Sequence, residues 1–257
     1  MLSFVGLGLY DERSITLQGR DRLEAADAVF LETYTSQLVG TTIEELAATH
    51  GTEITVCDRS DVEQTPEEIL NAATDGHAVF CTAGDPMIAT THVDLRLRAA
   101  DRGLDTELVH GVTAQAAASS VTGLQNYRFG PSTTLPFPDS HGADGLPKSV
   151  TDTLDENLDR GLHTLVFLDI KAAEDRFMTG STAAALLGAE YGDRLGVVVA
   201  RAGSDSPVVA GDRIEHLATQ SFGDPLHLLV VPGELHQLEA DALESFAGAP
   251  ADALDSR

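Results

Sequence analysis

The sequence predicts an α/β protein built of two consecutive α/β domains, residues 1–112 and 113–257. Three observations predict it. Short apolar runs alternate with helix-period segments along most of the chain. Glycine-bearing turns close several of those runs. A proline-rich stretch near the middle breaks the rhythm before a second alternating block begins. Strand–helix alternation of this kind marks a parallel sheet covered on both faces.

In the first block, Leu2–Leu7 reads as a short buried strand and Thr16–Ala28 as a helix, with Ser14 available as its cap. Val29–Glu32 is strand-like. Thr41–Thr49 is helical, with Thr41 or Thr42 able to cap it and acids in its first turn. Glu53–Cys57 is a strand. Pro66–Ala73 opens with proline followed by two glutamates, a favoured helix start. Ala78–Thr82 is a continuous apolar strand, Ala89–Arg102 a helix and Thr106–His110 a strand. Four prolines between Phe129 and Lys148 predict loop or edge structure there. Beyond it, Leu162–Ile170, Leu195–Ala200 and Leu226–Val231 read as strands, and Ser181–Leu187 and Leu235–Phe246 as helices. The tail Ala249–Arg257 is expected to fray.

Composition narrows the function. A hydrophobic share of 42% supplies ordinary cores, and no window approaches the roughly 18 continuous apolar residues of a membrane span. The first residues run straight into a strand with no basic, cleavable leader, so a cytoplasmic protein is expected. Cys57 and Cys81 are too few for a disulfide framework or a cysteine zinc site, and no histidine–carboxylate spacing suggests metal, so none is expected. The charge is −25, from 41 acidic and 16 basic residues, of which only Lys148 and Lys171 are lysines. Acids spread along the whole chain point to adaptation to molar salt, where self-repulsion is screened. They also oppose nucleic-acid binding, which needs cations to displace counterions.

Two glycine turns are candidates for ligand binding. Gly6-Leu7-Gly8-Leu9-Tyr10-Asp11 follows the first strand but lacks the third glycine of a dinucleotide fingerprint. Thr82-Ala83-Gly84-Asp85-Pro86 closes a buried strand at the edge where open α/β sheets bind ligands. An ionised Asp85 suits a ribose diol or an ammonium, and equally suits a plain turn. His92 could orient a substrate or act as a base, but a hydrogen-bonded structural role is equally open to it, and to His110, His163, His227 and His236. Serine-hydrolase elbows and phosphate loops are absent from the sequence.

Taken together, these stretches resemble the class III, tetrapyrrole-methylase-like methyltransferases, and within them the diphthine synthase family. The resemblance runs through Gly6–Thr16, Gly84–His92, Thr122–Gly130, Gly161–Lys171, Ala200–Ser204, Gly223–His227 and Pro232-Gly233, in order over nearly the whole chain. It implies a homodimer holding S-adenosylmethionine in a cleft between its two domains. The family's cofactor-contacting positions fall on Leu9, Asp85, Ile88, Thr113, Ala114, Leu168, Ala202 and His227, several of them acting through backbone. The implied partner is elongation factor 2 as protein substrate, methylated on the amino group of a modified histidine, with no nucleic acid and no membrane involved. No catalytic residue is singled out. Val112-Thr113-Ala114-Gln115 departs from the family's frequent Pro-Ser-Ile-Tyr, which bears on how the adenosine packs. Competing expectations are a related methyltransferase acting on a tetrapyrrole or ribosomal RNA, a dinucleotide-dependent oxidoreductase, and an adaptor that has kept the fold without turnover.

Overall fold

The computed structural model describes residues 1–141 and 145–254. The chain divides into two compact units, Met1–Thr113 and Ala114–Arg257.

The N-terminal unit runs β1 (Leu2–Gly6), α1 (Leu17–Glu24), β2 (Ala28–Glu32), α2 (Ile43–His50), β3 (Ile54–Cys57), α3 (Arg59–Glu63), α4 (Glu67–Asp75), β4 (Ala78–Thr82), α5 (Val93–Asp101) and β5 (Thr106–Val109). Its sheet has the order β3-β2-β4-β1-β5, every pairing parallel. The two-residue period of β4 explains why this sheet needs cover on both faces. Ala78 and Phe80 join one apolar cluster with Leu2, Phe4 and Phe30, while Val79 and Cys81 join the opposite one with Val5, Val29 and Leu31.

Local chemistry sets the helix starts. Thr16, not Ser14, caps α1 by accepting from Gly19 N at 3.0 Å. Ser14 instead donates its hydroxyl to Leu9 O, closing the loop after β1. Thr42 and Glu45 form a reciprocal capping box on α2. Helix α5 begins at Val93, because residues 89–92 are spent on the turn that follows β4.

The C-terminal unit runs α6 (Ala114–Thr122), β6 (Thr133–Leu135), α7 (Pro138–His141), α8 (Lys148–Asp159), β7 (Thr164–Leu168), β8 (Ile170–Lys171), β9 (Arg176–Phe177), α9 (Gly180–Tyr191), β10 (Leu195–Ala200), β11 (Val208–Arg213), α10 (Ile214–Leu217), β12 (His227–Val231), α11 (Gln237–Ala247) and α12 (Ala251–Leu254). Its main sheet has the order β11-β10-β12-β7-β6. Here β10 pairs antiparallel with both β11 and β12, β12 pairs antiparallel with β7, and β6 alone pairs in parallel. Helices again cover both faces. Val198, Ala200, Leu229 and Val231 enter one cluster, and Val197, Val199, Leu228 and Val230 the other.

The proline-rich stretch does lie at an edge, as β6, and residues 142–144 of that expectation fall outside the described residues. The single strand expected over Leu162–Ile170 is divided, since β7 stops at Leu168 and a short β8–β9 hairpin follows. The tail is not frayed from Ala249. Ala249 and Ala253 are buried and α12 is formed, while residues 255–257 lie outside the described residues.

Candidate functional site

Parallel strands β1, β4 and β5 all deliver their carboxyl ends to one edge, and a glycine sits at or beside each end. Gly8 and Gly84 exchange backbone hydrogen bonds, Gly84 N to Gly8 O at 2.7 Å and Gly8 N to Gly84 O at 3.2 Å. Both have left-handed backbones, φ +76° and +73°, which glycine adopts without the cost a Cβ imposes. A Cβ on Gly6 would lie 2.5 Å from Gly84 O, and one on Gly111 only 2.2 Å from the same oxygen. The three turns therefore pack backbone on backbone. Gly84 itself faces outward, with nothing nearer than 3.9 Å to where its Cβ would stand. That open face lets a ligand approach the main chain closely.

Asp85 is 4% exposed and holds this edge together. Its Oδ1 accepts from Met87 N at 2.9 Å, and its Oδ2 accepts from His110 Nδ1 at 2.7 Å and Gly111 N at 3.3 Å. A carboxylate offers about four acceptor positions, and three of them are taken here. Leu9 follows the Gly8–Gly84 bridge, Thr113 lies two residues after Gly111, and Ile88 stands well exposed. The structure thus brings Leu9, Asp85, Ile88 and Thr113 to one edge of one sheet. Gly111 is the residue sequence reasoning missed. The signal was available, since it follows an apolar strand much as Gly8 and Gly84 do.

His92 is a structural histidine rather than an open base. It is buried, its Nδ1 donates to Pro86 O at 3.1 Å, and its ring stands edge-on to Phe80 at 5.1 Å. Burial lowers its pKa against the raising effect of Glu32. Glu32 is itself fully buried at the end of β2. It accepts from Tyr34 N and Thr35 N, each at 3.0 Å, and from the hydroxyls of Thr35 and Thr82, so the turns after β2 and β4 share one carboxylate. An acid closing the apolar run Val-Phe-Leu-Glu was the overlooked sign of it.

In the C-terminal unit the register places the other candidates at one edge of the second sheet. His227 pairs with Ala200, two residues before Ala202, and Leu228 pairs with Phe167, one before Leu168. Ala114 opens α6 and packs against the cluster of Val197, Val199 and Leu228. The imidazole of His227 is committed on both sides, accepting from Gly180 N and donating to Asp224 O, each at 2.9 Å. Burial keeps its pKa below the ordinary histidine value. Any contact His227 makes with a ligand therefore runs through its backbone.

His163 and His236 are structural too. Both converge on the buried carboxylate of Glu239, His163 through Nε2 at 3.0 Å and His236 through its backbone N at 2.9 Å. Gln125 N and Arg128 Nη1 complete that carboxylate's shell, at 2.9 and 3.2 Å. Burial would raise the Glu239 pKa, yet these donors hold it below the usual glutamate value. Burial also lowers the pKa of His163. Cys57 and Cys81 are buried free thiols, Cys57 pushed up to about 12 mainly by burial, so neither is a nucleophile. Among the described residues no cluster of histidine, cysteine and carboxylate offers a metal site, and no helix is long and apolar enough to cross a membrane.

Comparison with known proteins decides among chemistries that could use such an edge. Residues 1–218 match the family of tetrapyrrole (corrin/porphyrin) methylases. A diphthine synthase of Haloarcula marismortui is 62% identical over 256 residues, covering 97% of this chain and 99% of that one. The diphthine synthase of Halobacterium salinarum is likewise 62% identical, over 99% of this chain and all of the other. A crystal structure of a diphthine synthase superposes with a TM-score of 0.91 at 36% identity, covering 98% of each chain. The chain belongs to the diphthine synthase family of tetrapyrrole methylases. Membership in the diphthine synthase family makes it a methyltransferase.

Proposed function

We propose that the chain transfers methyl groups from S-adenosylmethionine to the amino group of a modified histidine in elongation factor 2, the diphthine-forming step of diphthamide biosynthesis. The observation that carries this reading is the near-end-to-end match to diphthine synthases at about three residues in five. We propose further that it works as a homodimer in a cytoplasm of high salt. The relatives from salt-loving genera and the charge of −25 support the latter.

The cofactor supplies an activated methyl group, and the protein's part is binding, orientation and exclusion of water. Leu9, Asp85, Ile88 and Thr113 of the N-terminal unit and Ala114, Leu168, Ala202 and His227 of the C-terminal unit are proposed to hold it. Asp85 has one acceptor position left, and it keeps the open backbone of Gly84 in place. Leu168 and Ala202 offer apolar surface and main-chain groups, and His227 only the latter.

The amine must be neutral to attack. A peptide α-amino group titrates near pH 7.7–8.0, so deprotonating it near neutrality costs only about 1.4 kcal/mol per unit of pKa above the ambient pH. Correct placement of amine and methyl can be worth about 7–11 kcal/mol in ideal cases. A strong base is therefore not required.

Labelled methyl transfer from S-adenosylmethionine to recombinant elongation factor 2 bearing the unmethylated arm, in high-salt buffer, tests the reading. Methylation of ribosomal RNA or a precorrin in place of the factor would overturn the substrate assignment. Thermal stabilisation by NAD instead of S-adenosylhomocysteine would overturn the cofactor.

A further inference from the structure

The carboxylate of Asp85 is 4% exposed, with three acceptor positions already filled from within the fold. One of the three donors is itself open to solvent. His110 stands directly after β5 with 73% of its side chain exposed, anchored by the 2.7 Å bond from its Nδ1 to Asp85 Oδ2.

That bond settles the chemistry of the ring. An ionised carboxylate only accepts, so Nδ1 carries the hydrogen of the neutral imidazole and Nε2 is left as a bare acceptor. The two nitrogens lie on different sides of the ring, so anchoring Nδ1 turns Nε2 away from Asp85 and outward. Among the described residues nothing bonds to it. His163 and His227, by contrast, are buried with both ring nitrogens bonded inside the fold. A side chain held from behind with its working atom in front is the usual arrangement of an oriented binding group.

The position of His110 in the chain ties it to the glycine edge twice. It precedes Gly111, which abuts Gly84 O, and its anchor Asp85 follows Gly84, the glycine with the open face. A ligand lying along that face comes alongside the ring. Among the hydrogen-bonding groups of S-adenosylmethionine, the ammonium is met better by a charged carboxylate, and the adenine amino group can only donate. A ribose hydroxyl both donates and accepts, so it suits an imidazole in either protonation state.

We propose that His110 Nε2 accepts a hydrogen bond from a ribose hydroxyl of the methyl donor, carrying the acceptor character of buried Asp85 out to the ligand. The inference rests on the cofactor reading above and adds His110 to the residues proposed to hold the donor.

The test is calorimetry in high-salt buffer with S-adenosylhomocysteine and with two analogues, each lacking one of the ribose hydroxyls. His110→Asn keeps an N–H near the place of Nδ1 to serve Asp85 and removes the outer acceptor. It should bind S-adenosylhomocysteine roughly 3–10-fold more weakly than the parent, the worth of one hydrogen bond. Its urea midpoint should be unchanged, which confirms that the variant is folded. On one of the two analogues, parent and His110→Asn should bind alike, because the hydroxyl that the imidazole meets is gone. Parent affinity in His110→Asn, with a loss only in His110→Ala, would show that the ring merely braces Asp85 and would overturn the assignment. An undiminished gap between parent and His110→Asn on both analogues would overturn the ribose contact. Failure of the parent itself to bind S-adenosylhomocysteine would instead bring down the cofactor reading.

Discussion

A single methyl group separates two kinds of glycine at the edge of the first sheet. At Gly111 and Gly6 an added Cβ meets the carbonyl of Gly84 at 2.2 and 2.5 Å, and backbone cannot swing aside as a side chain can. Gly111→Ala and Gly6→Ala should each lose about 1–3 kcal/mol in urea unfolding. Gly84→Ala has room, and its cost is that of a left-handed φ, about 1–2 kcal/mol. Its larger effect should appear in calorimetry, as weakened S-adenosylhomocysteine binding, because the methyl would occupy the face proposed for the ligand. The buried histidines give a second test. Burial depresses the pKa of His92, His163 and His227, so the unfolded chain takes up protons before the folded one does. Their contribution is intact above the ordinary histidine pKa of about 6.5 and is lost as pH falls below it. Urea midpoints should therefore drop between pH 7.5 and 5.5, and the drop should shrink in His227→Asn.

At the scale of elements, the caps and the buried carboxylates do most of the positioning. Thr42→Ala removes half of the α2 capping box and should cost about 1 kcal/mol by thermal or urea unfolding. Glu239→Ala leaves Arg128 without its carboxylate and strands the donors of His163, Gln125 and His236. A loss of about 3–5 kcal/mol is expected from the same measurement. Sequence reasoning found elements where the periodicity was strong, as in β4, where all five residues are buried, and α2, whose Thr–Glu cap is written in the sequence. It missed elements that present a mixed surface. Strand β11 is a half-exposed edge interrupted by Gly211 and Asp212, and α3 is a five-residue turn with one buried side chain, Val62. Pairing direction was legible in the first unit, where strand–helix alternation predicted the parallel sheet, but not in the second, where an apolar run such as β12 reads the same whether its neighbours run with it or against it. Of the site, the glycine turns and Asp85 were visible in the sequence. The commitment of His92 and His227 to backbone partners was not, because it depends on residues such as Gly180, 47 positions away.

The molecule as a whole carries a charge that low salt leaves unscreened. At −25, repulsion among carboxylates acts over about 10 Å in 0.1 M salt and about 3 Å in 1 M. Stability should therefore rise steeply with potassium chloride, and the urea midpoint measured from 0.1 to 3 M salt should climb before it levels. A flat or falling midpoint would show that the acids serve another purpose. The same field bears on partners: docking of an acidic protein should be favoured by salt, the reverse of the usual steering effect.

The contact of Gly6, Gly84 and Gly111 has a consequence for how this enzyme family can change. With no side chain interposed, no rotamer exists to absorb a displacement, and a shift in one turn must be handed on to the other two. Point substitution can block such an edge but cannot widen it. A variant able to accept a bulkier ligand at the edge proposed for the methyl donor should therefore arise by insertion into the turns, and never by enlarging one of these three positions.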